Sequence, residues 1–325
     1  MITIIKKYRQ APFWLAAMAF LLALTAPMAL SGCGGKSTVQ GGGIKAAADI
    51  LPLGDFCRQV GGDRVQVEVM VPPGASPHTY ELTTGQMKYL SEADVLVTNG
   101  LELTPWFEEI AGKVDNPRLK MVVAGEAAPP RELIPAGSHE ERQETENDHA
   151  EQGPYDPHVW LDPNLAVYVV EAIRDAFITA DPQGESYYRL NADSYIKELY
   201  ELDSWIRDKA NGFGNRKFVS FHSSWTYFAR RYGLEQVAVI EELPGKEPSA
   251  GEMATLVEII KKTGVGVIFA EPQFNAQAAE AVAEEVGSAV KVVILDPLGD
   301  PDDPSRDTYL ETMRHNVEVM GEVLR

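Results

Sequence analysis

A chain of 325 residues, 45% hydrophobic and 24% charged, has ordinary globular composition and the length of two average domains or one large one. Its formal net charge of −19 excludes nucleic acid as a partner, because nothing in it supplies the basic footprint that phosphates require. An acidic surface keeps a protein soluble and concentrates cations around it, which is compatible with cation capture.

The first segment is a different material from the rest. Lys6, Lys7 and Arg9 precede the apolar run "APFWLAAMAFLLALTAPMAL" and then "SGCGG", which is the charge order of a secretory signal. A transmembrane helix is the alternative on length alone. Against it, "LSGC" (Leu30 to Cys33) resembles a bacterial lipobox, in which the cysteine is lipidated and everything before it is removed. Residues 1–32 are therefore expected to be a lipoprotein signal peptide, Cys33 a lipid anchor, and 33–43, with "GGKSTVQGGG", a flexible tether. Removing residues 1–32 deletes three basic and no acidic residues, taking the formal charge from −19 to −22. With Cys33 assigned to the anchor, Cys57 has no partner for an internal disulfide and reads as a small buried hydrophobe on a helix face.

From Ile44 onward, short apolar runs alternate with helical patterns, as in a parallel sheet with crossover helices. "IKAAA", "VQVEVMV", "DVLVT" and "LKMVV" read as strands of a first lobe, 44–183. Between them, Thr83 to Gln86 fits a capping box and Pro105 sits near a helix start. "SHEERQETENDHAEQG", residues 138–153, has no apolar period and reads as a solvated acidic loop; its His139 and His149 are expected to be loop residues. Glu185 to Asn211 keeps a helical apolar period through Tyr188, Ala192, Tyr195, Ile196, Leu199, Leu202, Trp205 and Ile206, with Asp181-Pro182 before it and Gly212 and Gly214 after it. It predicts one long connecting helix, 184–212. A second lobe, 213–325, follows with "KFVSF", "EQVAVI", "GVGVIFA" and "VKVVIL" as strands and a capping box at Ser249 to Glu252. The fold class expected is α/β, with two lobes of parallel-rich sheet joined by a long rigid helix.

Of the six histidines, two lie in the acidic loop and His315 lies on the C-terminal helix, where a surface role is the simplest reading. His78, His158 and His222 instead lie in segments that leave the carboxyl ends of predicted strands, where open parallel sheets bind ligands. Asp296 in "VVILDPLGD" and Glu271 in "VIFAEPQFN" share that placement. If the lobes face each other across a cleft, His78 and His158 from one can meet His222 and Asp296 from the other. Three imidazoles and a carboxylate make a tetrahedral site suited to Zn²⁺. Glu271 is either a carboxylate that supports these ligands or an acid at the N-terminus of the following helix.

"PHTYEL", "DPHVWLDP", "FHSSWTYFARRYGL", "EELPGKEPSAGEM", "FAEPQFN" and "LDPLG", in that order, resemble the metal-binding solute-binding proteins of bacterial ABC importers, the zinc- and manganese-type group. The likeness runs from about Ile44 to the C-terminus. It implies two α/β lobes around a backbone helix, an ion in the cleft, and His78, His158, His222 and Asp296 as its ligands. A histidine at 222, where manganese-type members resemble one another in carrying a carboxylate, points to zinc; Mn²⁺ or Fe²⁺ is the alternative. The acidic loop departs from the histidine-rich loop of many zinc-type members.

The expected function is capture of Zn²⁺ on the outer side of the cytoplasmic membrane by a lipid-anchored monomer. Delivery would be to an ABC permease with its cytoplasmic ATPase, with no catalysis. Two other classes compete. A zinc hydrolase needs an open metal position and a general base; here a fourth protein ligand is available and no "HExxH" helix is present, though Glu271 is a candidate base. A surface adhesin with a structural metal is the other.

Overall fold

The computed structural model describes residues 43–137, 153–241, 245–287 and 290–325. The expected signal segment, Cys33, most of the tether, and residues 138–152 of the acidic loop with His139 and His149 lie outside them.

The first lobe contains β1 (Ile44–Ala48), α1 (Leu51–Gly61), β2 (Val65–Val69), α2 (Thr84–Glu92), β3 (Val95–Thr98), α3 (Pro105–Ala111), β4 (Lys120–Val123) and α4 (Pro163–Ala180). After α5 (Glu185–Asn211) come β5 (Lys217–Ser220), α6 (Thr226–Tyr232), β6 (Glu235–Val239), α7 (Ala250–Thr263), β7 (Val267–Ala270), α8 (Gln277–Val286), β8 (Lys291–Ile294) and α9 (Tyr309–Val323). The two sheets run β2-β1-β3-β4 and β6-β5-β7-β8, so the second repeats the order of the first. Every pairing is parallel. Parallel neighbours cannot be joined by a tight hairpin, and helices supply the crossovers.

Burial follows from this layering. Ala46, Ala47 and Ala48 of β1 and Val95, Leu96 and Val97 of β3 are fully enclosed, because helices cover both faces of the central strands. Edge strand β2 alternates between half-buried and exposed positions. The capping boxes expected at Thr83 and Ser249 both form, each side chain accepting from the backbone N–H three residues on and each partner returning the bond. Cys57 is buried in α1.

Helix α5 has 27 residues, a length of about 40 Å at 1.5 Å per residue. Its buried positions Tyr188, Ala192, Tyr195, Leu199, Leu202, Ile206 and Ala210 form one stripe. That stripe lies inside a single apolar cluster running from Val97 in β3, through Leu199, to Phe218 in β5 and Met313 in α9. Helix α9 crosses back to the first lobe: the Tyr309 ring meets Phe56 of α1 edge-on at 4.8 Å. Asp55 of α1 accepts from the Tyr309 backbone N–H at 3.0 Å and from the Tyr195 hydroxyl at 3.3 Å. The lobes thus share one core, and separating them would expose it.

A polar clamp reinforces the join. Asp203 on α5 accepts from Arg231 of α6 at 2.9 and 3.0 Å, from Arg207 at 3.1 Å and from the Tyr232 hydroxyl at 3.1 Å. Burial alone would raise the Asp203 pKa; the hydrogen bonds from Arg231 and Arg207, with the Arg231 charge, overcome it and hold it at about 2. A depressed carboxylate stabilises the fold above its unfolded pKa near 4 and loses that contribution as pH falls through its folded value. Asp203→Asn is expected to lower unfolding free energy by about 2 kcal/mol at pH 7. In denaturant titrations the gap from the native chain should narrow progressively from pH about 4 toward pH about 2.

Candidate metal centre

Each of the three interior histidines is placed by a stiffened loop. His78 follows Ser76-Pro77 in the segment after β2, and the Trp106 indole N–H of α3 donates to the Pro77 carbonyl at 3.0 Å. His158 follows Asp156-Pro157, and the Asn99 side-chain amide just past β3 donates to the Pro157 carbonyl at 2.9 Å. The Tyr227 hydroxyl of α6 donates to the Asp156 carbonyl at 2.9 Å, so the second lobe grips this loop too. Beyond it, Asp162 caps α4 by accepting from the Asn164 N–H at 2.9 Å. His222 lies two residues past β5, beside the strand order's reversal between β5 and β7.

The three rings converge. His158 and His222 ring centroids are 5.0 Å apart, and that of His78 is 5.6 Å from each. One ring nitrogen from each histidine falls within 4.8 Å of the other two, which is the span of ligands to a single ion. His158 and His222 are 3% and 4% exposed. His78 is partly exposed as a residue, but its Nε2 is enclosed and has no hydrogen-bond partner.

Two buried carboxylates set the ring orientations. His158 Nδ1 lies 2.8 Å from Asp156 Oδ1, and His222 Nδ1 lies 2.8 Å from Glu271 Oε1, which also accepts from the Ser224 hydroxyl at 3.0 Å. Carboxylate acceptors at Nδ1 select the tautomer that carries its proton there. The two Nε2 lone pairs then face each other at 3.1 Å. Two unprotonated nitrogens at that distance repel unless a proton or a metal ion sits between them. Two nitrogens on a tetrahedral zinc are separated by about 3.3 Å, given Zn–N bonds near 2.05 Å. Burial, followed by the proximity of His158 and His222, pushes the His78 pKa well below the ordinary imidazole value, keeping that ring neutral as a ligand must be.

Asp296 does not join this group. Its Oδ1 accepts from the backbone N–H groups of Leu298 and Gly299, both at 3.0 Å, and from Gln273 Nε2 at 3.1 Å. Its Oδ2 is 2.7 Å from Arg306 Nη1. Three donors thus crowd Oδ1, while Arg306 alone holds Oδ2, which keeps a second lone-pair direction. Of the set expected from the sequence, the structure brings the three imidazoles together, while the Asp296 carboxylate is engaged by Arg306, Gln273 and its own loop. Glu271 is 1% exposed and bonded to His222. Helix α8 begins only at Gln277 with Ala276 as its cap, so Glu271 is not that helix's N-terminal acid.

Sequence reasoning did not identify Asp156, Trp106, Gln273 or Arg306. Asp156 had a visible signal, an acid two residues before a histidine. The other three act across 10 to 29 positions of chain, and no local pattern marks them. The remaining walls of the pocket come from both lobes, with Ser76 and Trp160 on one side and Phe274, Pro297 and Leu298 on the other. Trp160 stitches them together: its indole N–H donates to the Pro297 carbonyl at 2.8 Å, and its own carbonyl accepts from the Tyr309 hydroxyl at 2.7 Å.

Comparison with known proteins agrees with this architecture. The family model described as zinc-uptake complex component A, periplasmic, matches residues 47–323. The zinc-binding lipoprotein AdcA of Streptococcus pneumoniae is 30% identical over 310 residues, covering 93% of this chain and 60% of that protein's length. The manganese-binding lipoprotein MntA of Halalkalibacterium halodurans is 29% identical over 294 residues, covering 89% of this chain and 92% of the relative. The crystal structure of ZnuA superposes with a TM-score of 0.75 at 29% identity, over 87% of this chain and 100% of that one. The expected α/β fold of two parallel sheets linked by a long helix is the fold of these structures. With a family model spanning nearly all of both lobes, the chain belongs to the periplasmic zinc-uptake component A family of solute-binding proteins.

Proposed function

We propose that this chain captures a divalent transition-metal ion, Zn²⁺ in preference to Mn²⁺ or Fe²⁺, outside the cytoplasmic membrane. It then hands the ion to a membrane permease powered by a cytoplasmic ATPase. The observation that carries the reading is the pair of imidazole Nε2 atoms facing each other at 3.1 Å. His78 Nε2 is enclosed beside them, and a buried carboxylate stands behind each of the other two rings. An all-nitrogen donor set suits zinc, whereas manganese favours carboxylate and water oxygens. The ligands are His78, His158 and His222.

The zinc-binding and lipoprotein names of the relatives support the cargo and an anchor at Cys33. Among the described residues, no helix is long and apolar enough to cross a membrane. In this reading, the first lobe spans 44–183, the connecting helix 184–212 and the second lobe 213–325. The chain acts as a monomer, and no bond of its cargo is broken, so it is a carrier and not a catalyst. Glu271 serves as the hydrogen-bond acceptor that orients His222 instead of as a general base.

Titration calorimetry of the metal-stripped protein should give one Zn²⁺ per chain, with Mn²⁺ bound more weakly in competition. His158→Ala and His222→Ala should each weaken zinc binding by about 100-fold or more, and Glu271→Gln by about 10-fold, since it only orients a ligand. Stoichiometry other than one, or zinc affinity untouched by both histidine variants, would refute the assignment.

The shared core makes a second expectation. Folding rests on apolar burial that does not involve the metal, so chelation should leave the far-ultraviolet circular dichroism spectrum unchanged. Free zinc at a thousandfold excess over Kd should add about 4 kcal/mol to the unfolding free energy. A chain that unfolds on chelation would instead have a structural metal.

A further inference from the structure

The chain enters the fold at the end of the first lobe opposite the metal pocket. Strand β1 starts at Ile44, and Gly43 packs so closely on the Arg64 carbonyl that a Cβ there would lie 2.7 Å from its oxygen. All strands of the first sheet run parallel, so their amino ends and the loops that feed them form one face. Long-range bonds tie it together. Lys45 Nζ donates to Glu92 at 2.8 Å, the Asn116 amide to the Ala93 carbonyl at 2.7 Å, and Lys120 Nζ to the Thr179 carbonyl at 2.8 Å. The Asp63 N–H donates to the Tyr187 hydroxyl at 3.3 Å, which places the first turn of α5 there too. Helix α4 separates this face from the pocket. It starts at Pro163, soon after His158, ends at Ala180, and has a length of about 27 Å for its 18 residues.

Two properties set the face apart. Segments 43–45, 61–64, 91–94, 112–121 and 179–190 carry six basic residues, Lys45, Arg64, Lys113, Arg118, Lys120 and Arg189, against six acidic ones. The face is neutral, so the whole charge of −22 left after removal of residues 1–32 lies elsewhere. Three of the five large apolar side chains exposed among the described residues are also here: Met121 at 49%, Tyr187 at 37% and Leu190 at 69%. Tyr187 and Leu190 are three positions apart on α5 and so neighbours on its surface.

We propose that this face rests on the lipid headgroups of the membrane that holds the anchor. The inference depends on the lipid-anchor part of the proposed function. Residues 33–43 span about 18 Å root-mean-square as a Gly-rich coil and at most about 40 Å when extended. The surface around Gly43 is therefore the part of the body held at high effective concentration beside the bilayer, and a weak contact suffices there. Anionic headgroups repel the acidic remainder of the molecule and leave the neutral face free to approach. The Tyr187 ring and the Leu190 side chain then reach the interface, where amphipathic rings and apolar groups are favoured. In this pose the metal pocket points away from the lipid, toward the medium that supplies the ion.

The test uses the full-length lipoprotein, its lipid verified by mass spectrometry, on vesicles of phosphatidylcholine and phosphatidylglycerol with no other protein. A fluorophore is attached to a single introduced cysteine in Arg118→Cys, Leu190→Cys or Lys246→Cys; Cys57 is buried and stays unlabelled. Lys246 is exposed and follows Gly245, which lies against Thr79 beside His78, so it reports the pocket end. Quenching by lipids with nitroxide headgroups should be about 5-fold stronger at Arg118→Cys and Leu190→Cys than at Lys246→Cys. Adding Met121→Glu and Leu190→Glu to Arg118→Cys should lower its quenching by about 5-fold, with zinc affinity and unfolding midpoint unchanged. Quenching at Lys246→Cys that equals or exceeds the others would overturn the proposal. So would anchored protein with no quenching at any probe, the result expected if the face serves a protein partner instead, or quenching that ignores the two glutamates. A chain that carries no lipid and does not sediment with the vesicles would sink the anchor reading itself, an outcome distinct from silent probes on an anchored chain.

Discussion

Two imidazole nitrogens held 3.1 Å apart inside a protein call for a positive centre between them, a proton or a metal ion. Everything else at this site arranges for them to stay that way. Asp156 and Glu271 hold the protons of His158 and His222 on the far side of each ring. The carboxylates are buried, so the bonds they accept are little weakened by water. Prolines and an indole hydrogen bond fix the loops that carry the rings. A cation can take that place, and the order already present in the loops lowers the entropy an ion must remove on binding. Ligand geometry is thus built mainly by groups that would never touch the metal.

The scaffold explains how residues so far apart in sequence can be held to such tolerances. Both sheets have the same strand order, and each presents its carboxyl ends toward the site. His222 and Glu271 flank the reversal point of the second sheet, a position where side chains from adjacent strand ends naturally meet. Asp49 and Asn99 occupy the equivalent point of the first. There the buried Asp49 carboxylate accepts from the Asn99 N–H at 2.7 Å and from the Thr98 and Thr104 hydroxyls, and Asn99 in turn anchors the His158 loop. Burial raises the Asp49 pKa to about 6, even with those hydrogen bonds opposing it. One lobe uses its switch point for a ligand and its carboxylate, and the other uses it for the support of a ligand.

Much of this was legible in the chain because periodicity and capping are local. The strand runs, the Thr83 and Ser249 capping boxes and the 27-residue helix all follow from spacings within a few residues, and each appears where those spacings put it. The three histidines could be singled out because strand ends are where open sheets bind ligands. The arginine partner of Asp296 was not legible, because which cationic group reaches a carboxylate depends on packing in three dimensions. Arg306 lies ten residues away in a polar loop with no period, and it resembles any solvated surface charge until the fold places it. Asp156 was hidden in plain view, since an Asp-Pro step reads first as a turn.

The core common to both lobes also constrains how cargo can leave. Swinging the halves apart would peel Tyr309 from Phe56 and open the α5 stripe to water, so departure by a wide hinge is disfavoured. In the proposed capture role, release would then begin at one of the three histidines. His78 is that one: it alone of the three is partly exposed, and no carboxylate among the described residues braces its ring. A docking partner that tugs the Pro77–Thr79 segment would shorten the ion's residence time while leaving the body of the molecule at rest.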